Sequence, residues 1–194
     1  MSDLDKVIEY AKELHKNQKR KYTGEPYFVH LEAVAKKVEI YSDYMNKSRG
    51  RFNECWKRIM LYSAYLHDSL EDTDVTHEEL RVWLHSNIDK DIADRVLETV
   101  VELTDVYTKE NFPELNRQQR KKLEAERMSC ASEFTKTVKL FDILDNTESI
   151  VAHDEKFAKV YLKEKEYLLK CINSFDLQLR VSNSIKEHEA SGAE

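Results

Sequence analysis

Three glycines (Gly24, Gly50, Gly192) and two prolines (Pro26, Pro113) are all that 194 residues contain of these types. They are the residues that stop helices and turn chains, and most β-rich folds need many of them. A sequence so poor in them, and rich in Leu, Glu, Lys and Ala, favours long helices joined by few tight turns. The length suits one domain with a sizeable buried core. No repeat, low-complexity stretch or linker divides it. The expected fold is all-α, a single globular helix cluster rather than an ideal bundle, spanning residues 1–185 with a polar tail at 186–194.

Spacing of apolar residues and capping signals place the helices. Ser2 with Asp5 opens the first, which carries Leu4, Val7, Ile8, Ala11 and Leu14 and ends before the Thr23–Pro26 turn. The second is expected from Tyr27 to Met45, followed by a surface loop over Asn46–Asn53. A continuous third helix is expected over Glu54–Leu70. Thr76 with Glu79 caps a short helix ending near His85. Ile92, Val96, Val100 and Leu103 stripe another over Ile88–Leu103. Thr104–Phe112 lacks periodicity, and Pro113 suits the first position of a charged helix reaching Met128. Helices over Glu133–Ile150 and Val160–Phe175 follow, with a polar one after them. Tyr41, Tyr44 and Trp83 read as surface aromatics, belonging either to a subunit contact or to the periphery of the core.

Composition excludes several function classes. No apolar run is long enough to span a membrane, and the acidic N-terminus has no signal-like segment. Cys55, Cys130 and Cys171 are far apart and odd in number, as free thiols of a reducing cytoplasm are. A net charge of −6 disfavours nucleic-acid backbones as partners. Local basic clusters at Lys16–Lys21 and Arg117–Lys122 still leave room for a small phosphorylated ligand.

The chemistry gathers at His67-Asp68-Ser69-Leu70-Glu71-Asp72. On one continuous helix His67 would stack over Glu71, and Asp68 over Asp72. Adjacent His and Asp suit a divalent metal, and a carboxylate pair nearby can handle protons, a combination that activates water. His30, just past the Gly-Pro turn, and Asp142, a carboxylate within an apolar helix, are the candidates to complete the ligand set. Two imidazoles and two carboxylates suit manganese, iron or zinc better than calcium. Taken singly, His30 also fits a structural core histidine, and Asp142 an internally bonded or solvent-facing helix residue.

The order His30 … His67-Asp68 … Asp142 resembles that of the HD-domain metal-dependent phosphohydrolases. The likeness is closer to the hydrolase domain of the RelA/SpoT family, in its small stand-alone members of the metazoan SpoT-homologue type. It rests on Ala11, His15, Gln18, Arg20, Lys21, Gly24-Glu25-Pro26-Tyr27, His30, Val34, Ala35, Leu66-His67-Asp68, Glu71-Asp72-Thr73, Leu103-Thr104-Asp105, Lys139-Leu140, Asp142 and Asn146. It covers roughly residues 7–150.

The resemblance implies an enzyme: a manganese-dependent 3′-pyrophosphohydrolase, of the phosphoric diester hydrolase class, acting on the alarmones ppGpp and pppGpp of the stringent response. It implies His30, His67, Asp68 and Asp142 as metal ligands, with another divalent transition metal as an option. Glu71 and Asp72 match the catalytic acidic pair. Arg20 and Lys21 match a basic pair beside the nucleotide, an Arg being able to stack on a purine while a Lys meets phosphate. Asn146, one turn after Asp142, has an amide suited to ribose or phosphate. Ser149 is a further pocket candidate.

Two features depart from the pattern. Leu31 stands where a Pro usually follows the first histidine. The run Lys139–Asn146 lacks the basic residue after Asp142 and gains Asp145. Another nucleotide substrate on the same metal centre (the 2′-phosphate of NADPH, or an adenosine alarmone) and a non-catalytic nucleotide-binding module are the competing readings. The expected setting is the cytoplasm, with no membrane or nucleic-acid partner and no assignment of oligomeric state.

Overall fold

The computed structural model describes residues 1–49 and 54–172. Among these, nine helices run in the order α1 (Asp3–Leu14), α2 (Phe28–Arg49), α3 (Glu54–Leu66), α4 (Ser69–Asp72), α5 (His77–Asn87), α6 (Lys90–Leu103), α7 (Arg117–Ser129), α8 (Glu133–His153) and α9 (Glu155–Cys171). The all-α expectation holds. The boundary expected at residue 185, the polar tail and the last polar helix lie outside the described residues.

α3 explains the architecture. Every residue from Ile59 to Leu66 is buried, polar Ser63 included. A helix covered all round must lie at the centre. Accordingly α2, α6 and α8 pack on α3, α8 also meets α2 and α6, and α1 adds to α3 and α5 to α6. The main core joins Val34 and Val38 of α2, Leu66 of α3, Val96 and Val100 of α6, and Val138 and Phe141 of α8. A smaller core, with Ala125, Met128, Ile143, Leu168 and Ile172, fixes α7 and α9 against the far side of α8.

The caps at Ser2 and Thr76 form as expected, each with the reciprocal bond of a capping box. Other boundaries move. α2 continues through Asn46–Arg49, where a loop was expected. α7 begins only after Asn116, whose side chain and Gln119 form the capping box; Pro113 lies in the preceding turn. α8 runs to His153, and α9 starts at Glu155, five residues before the expected Val160. Tyr41 is 2% exposed and belongs to the core, while Trp83 stacks on Tyr10 at 4.0 Å between ring centroids.

The correction that matters most is at the end of α3. The helix stops at Leu66, His67 and Asp68 form a turn, and Glu71 and Asp72 belong to α4. The Asp68 carbonyl accepts from both Glu71 N (3.2 Å) and Asp72 N (2.9 Å). Carboxylates at the C-terminal end of a continuing α3 would oppose its dipole. Restarting the helix converts that end into a new first turn, where acids are tolerated. The expected stacking of His67 over Glu71 and Asp68 over Asp72 on one helix face is therefore replaced by a corner.

Candidate metal centre

Side chains from α2, the α3–α4 corner and α8 converge beneath the turn that follows α1. His30 enters in the first turn of α2, and Asp142 from the middle of α8. His30 and His67 are 1% and 2% exposed, and Asp142 is 6% exposed. His30 Nε2 lies 3.4 Å from Asp142 Oδ1 and 3.6 Å from Asp68 Oδ2. His67 Nε2 lies 3.0 Å from Asp68 Oδ2 and 3.8 Å from Asp142 Oδ1. One ligand atom each from His30, His67 and Asp68 fall within 4.8 Å of one another.

A cation fits this set. Both imidazole Nε2 atoms are buried and have no hydrogen-bond partner among the described residues. Such atoms are rare unless something binds them. Donors held at about 2.1 Å from one ion sit about 3–3.4 Å apart, close to the spacings here. Tautomers agree as well: His67 Nδ1 donates to the Ala64 carbonyl at 2.8 Å, leaving Nε2 as the free lone pair. Asp68 is held by the Tyr27 hydroxyl, which donates to Oδ2 at 2.6 Å.

In the metal-free chain the electrostatics favour positive charge on the same two rings. Burial alone would depress the His67 pKa, yet Asp68 and Asp142 drive it well above the ordinary value; His30 rises for the same reason, with Asp142 and Asp145. Burial opposes ionisation of Asp68 too, but His67 brings it down to about 2. Asp142 falls well below the carboxylate range because Lys139 and the two imidazoles outweigh its desolvation. The site thus keeps both carboxylates ionised and holds positive charge between them.

Outside this cluster sits the acidic pair. Glu71 and Asp72 are exposed at the mouth of the site. Glu71 Oε1 accepts from the backbone N–H of Asp105. Desolvation of its carboxyl, opposed by Lys139 and aided by Asp105 and Asp68, pushes its pKa to about 7. Asp72 Oδ2 accepts from Gln18 Nε2 at 2.8 Å, and Gln18 Oε1 meets His15 Nδ1 at 2.6 Å. His15, 2% exposed, stacks on Tyr27 at 5.2 Å between centroids.

The basic pair separates. A single bridge between Lys19 and Pro26, with Gly24 at φ 72°, closes the turn carrying both residues. That positive φ favours glycine. Arg20 points inward: Nη1 donates to Asn146 Oδ1 at 3.1 Å and Nη2 lies 3.4 Å from Asp145 Oδ2. Asn146 Nδ2 in turn donates to Asp142 Oδ1 at 2.6 Å. Lys21 faces the other way, over the Tyr22 ring at 4.8 Å and 3.9 Å from Asp154. Ser149 lies two turns beyond Asp142 on α8, and its carbonyl accepts from His153 Nδ1. Arg117 pairs with Glu164 and Lys121 with Asp105, and Tyr161 is core, 7% exposed.

Lys139 received no role from the sequence beyond its place in the motif. Its Nζ lies 3.0 Å from Asp142 Oδ2, with its side chain 13% exposed. Burial would lower its pKa, but Asp142, Asp105, Glu71 and Asp68 raise it beyond the ordinary lysine value. A lysine three positions before an aspartate in an apolar helix was the available signal, since a buried ammonium requires such a partner. No sequence signal foretold Lys165 of α9, whose burial and proximity to Lys139 bring its pKa down to about 8.

Fold and site together define an all-helical domain built around a buried His/Asp cluster, and a solved SpoT orthologue shares its architecture. A solved structure described as a metazoan orthologue of SpoT that hydrolyses ppGpp and plays a role in starvation responses superposes on 97% of this chain and 96% of its own. The TM-score is 0.68 and the sequence identity 21%. A curated protein, the guanosine-3′,5′-bis(diphosphate) 3′-pyrophosphohydrolase of Aquifex aeolicus (strain VF5), is 39% identical over 80 residues. That match takes in 41% of this chain and 9% of the length of the Aquifex protein. No family model matches the chain. No helix among the described residues is long and apolar enough to cross a membrane.

Proposed function

We propose that this chain is a metal-dependent 3′-pyrophosphohydrolase whose substrate is guanosine 3′,5′-bis(diphosphate). The observation that carries the reading is the pair of buried, unbonded Nε2 atoms of His30 and His67 facing the carboxylates of Asp68 and Asp142. Similarity to the SpoT orthologue and the Aquifex pyrophosphohydrolase supports the choice of substrate.

His30, His67, Asp68 and Asp142 would hold the ion; their two nitrogen and two oxygen donors suit manganese, iron or zinc, and the resemblance makes manganese the first candidate. A divalent ion bound there lowers the pKa of water and offsets charge developing on phosphorus. The remaining work belongs to the chain. Water's oxygen bonds to the phosphorus attached to the ribose 3′-oxygen. The bond from that phosphorus to O3′ breaks, releasing pyrophosphate, while O3′ gains a proton and GDP remains. With the pentaphosphate the second product is GTP. Glu71, with its pKa near neutrality, suits removal of the proton from water. Asp72, oriented by Gln18, suits relaying a proton from solvent to O3′. Arg20 and Asn146 border the cluster where the nucleotide would lie, and their side chains supply donors for phosphate or ribose. Lys139 limits the repulsion among Asp142, Asp105 and Glu71.

The test uses the full chain, stripped of metal and reloaded with Mn²⁺. It is offered ppGpp, pppGpp, ppApp, NADPH and ordinary nucleoside mono- to triphosphates. Pyrophosphate release from ppGpp, with GTP left intact, supports the reading. Phosphate release from NADPH alone, or nucleotide binding without turnover, overturns it.

A further inference from the structure

Asp145 is an oddity in two respects. It is the acid that the Lys139–Asn146 run gains relative to the pattern it resembles, and its side chain is only 12% exposed. Three positive or proton-bearing groups meet it from two elements. Its Oδ2 lies 2.6 Å from His30 Nδ1 on α2 and 3.4 Å from Arg20 Nη2 in the turn after α1. Its Oδ1 accepts from Lys37 Nζ at 3.0 Å. Lys37 lies seven residues after His30, two turns along the same face of α2, so one helix presents both groups to α8. A salt bridge to Lys37 alone would leave Oδ2 without need of an imidazole. Here Oδ2 makes the shorter of the two contacts.

The chemistry of that contact is directional. A carboxylate only accepts, so His30 Nδ1 must carry the proton, and Nε2 is left with its lone pair aimed at Asp68 and Asp142. His67 obtains the same tautomer from a backbone carbonyl, a neutral acceptor. A charged acceptor raises the basicity of the ring more and fixes its plane, which strengthens the nitrogen as a ligand. Resting on the metal-site reading above, we infer that Asp145 is the positioning residue of His30. It holds the ring by its Nδ1 edge so that Nε2 stays directed into the ligand cluster, while Lys37 and Arg20 keep the carboxylate in place.

The experiment measures Mn²⁺ dissociation from the full chain by competition with a chelator, in wild type, Asp145→Asn and Asp145→Leu, together with the melting temperature of each metal-free protein. Asp145→Leu is expected to weaken the ion about 10–100-fold. Asp145→Asn keeps an accepting oxygen and should lose less. In the zinc-loaded wild type the His30 Nδ1 proton should appear as a slowly exchanging, downfield resonance that disappears in Asp145→Leu. A merely structural role would lower the melting temperature while leaving the dissociation constant of the folded protein unchanged, and that result overturns the inference. If Asp145→Leu does not fold, Asp145→Asn decides alone: affinity equal to wild type overturns it. A wild-type chain that takes up no Mn²⁺ at all sinks the proposed function itself. A loaded wild type with unaffected variants sinks only the role of Asp145.

Discussion

Lys139 Nζ lies 3.0 Å from Asp142 Oδ2, one helical turn apart on α8, and both side chains are almost wholly buried. The lysine sets a positive charge inside a group of carboxylates that also includes Asp105, Glu71 and Asp68. Removing one partner of such a pair leaves the other charge uncompensated. Lys139→Met should destabilise the metal-free chain by about 3–5 kcal/mol in urea unfolding. A loss below about 1 kcal/mol would contradict the charge arrangement described.

Glu71 gives a pH dependence with a definite sign. Its folded pKa of about 7 lies above the ordinary glutamate value of 4.5. The proton is therefore held more tightly in the folded chain. The stabilisation from this group is fully present below about pH 4.5 and is lost as pH rises through about 7. In metal-free protein, the difference in stability between wild type and Glu71→Gln should change across that interval and be level outside it. A difference independent of pH would sink the assignment. A bound divalent cation favours the carboxylate, so the midpoint in loaded protein should lie lower.

Metal ligands and proton-handling acids should separate under mutation. His67→Ala and Asp142→Ala are expected to lose bound metal and turnover together. Glu71→Ala should lose turnover, by about 10²–10⁴-fold, and retain metal. Metal analysis of the purified variants checks this, and a Glu71→Ala protein that comes out without metal reverses the roles given to the two groups.

Gln18 bridges positions 54 residues apart when its amide reaches Asp72. Its side-chain hydrogen bonds go to His15 and Asp72 and to none of the four candidate ligands, and they fix the direction of the acid proposed to handle a proton. Gln18→Leu should lower kcat about 10–100-fold, the scale on which small displacements of a reacting group act. Metal affinity should stay as in wild type; a parallel fall in affinity would place Gln18 in the metal site instead.

How far the sequence foretold this molecule depends on which forces decide each element. The caps at Ser2 and Thr76 and the stripe of Ile92, Val96 and Val100 depend on neighbours within one or two turns, so they were readable. The break after Leu66 was not, because the apolar pattern continues through Leu70 and only the electrostatics of Asp68, Glu71 and Asp72 argue for a restart. Pro113 misplaced α7 for a similar reason: Asn116 with Gln119 offers the better cap, and a single favoured proline does not outweigh it. His30, His67, Asp68 and Asp142 were nameable from residue type and order, and the structure brings them within a few ångströms. Gln18, Lys37, Lys139 and Asp145 act across tertiary contacts. Spacing alone does not reveal such partners, although an acid and a lysine set in the apolar α8 marked the place to look.

The chain of contacts from Arg20 through Asn146 to Asp142 has a thermodynamic consequence. Arg20 cannot turn toward an incoming phosphate without releasing Asn146, and Asn146 shares its amide with a carboxylate of the metal cluster. Occupancy at either end therefore alters the free energy of the other. Linkage requires the two effects to be equal: whatever factor the ion contributes to nucleotide affinity, the nucleotide returns to the ion. Titrations of a non-hydrolysed nucleotide at several Mn²⁺ concentrations should show reciprocal shifts, and Asn146→Ala should make those shifts smaller.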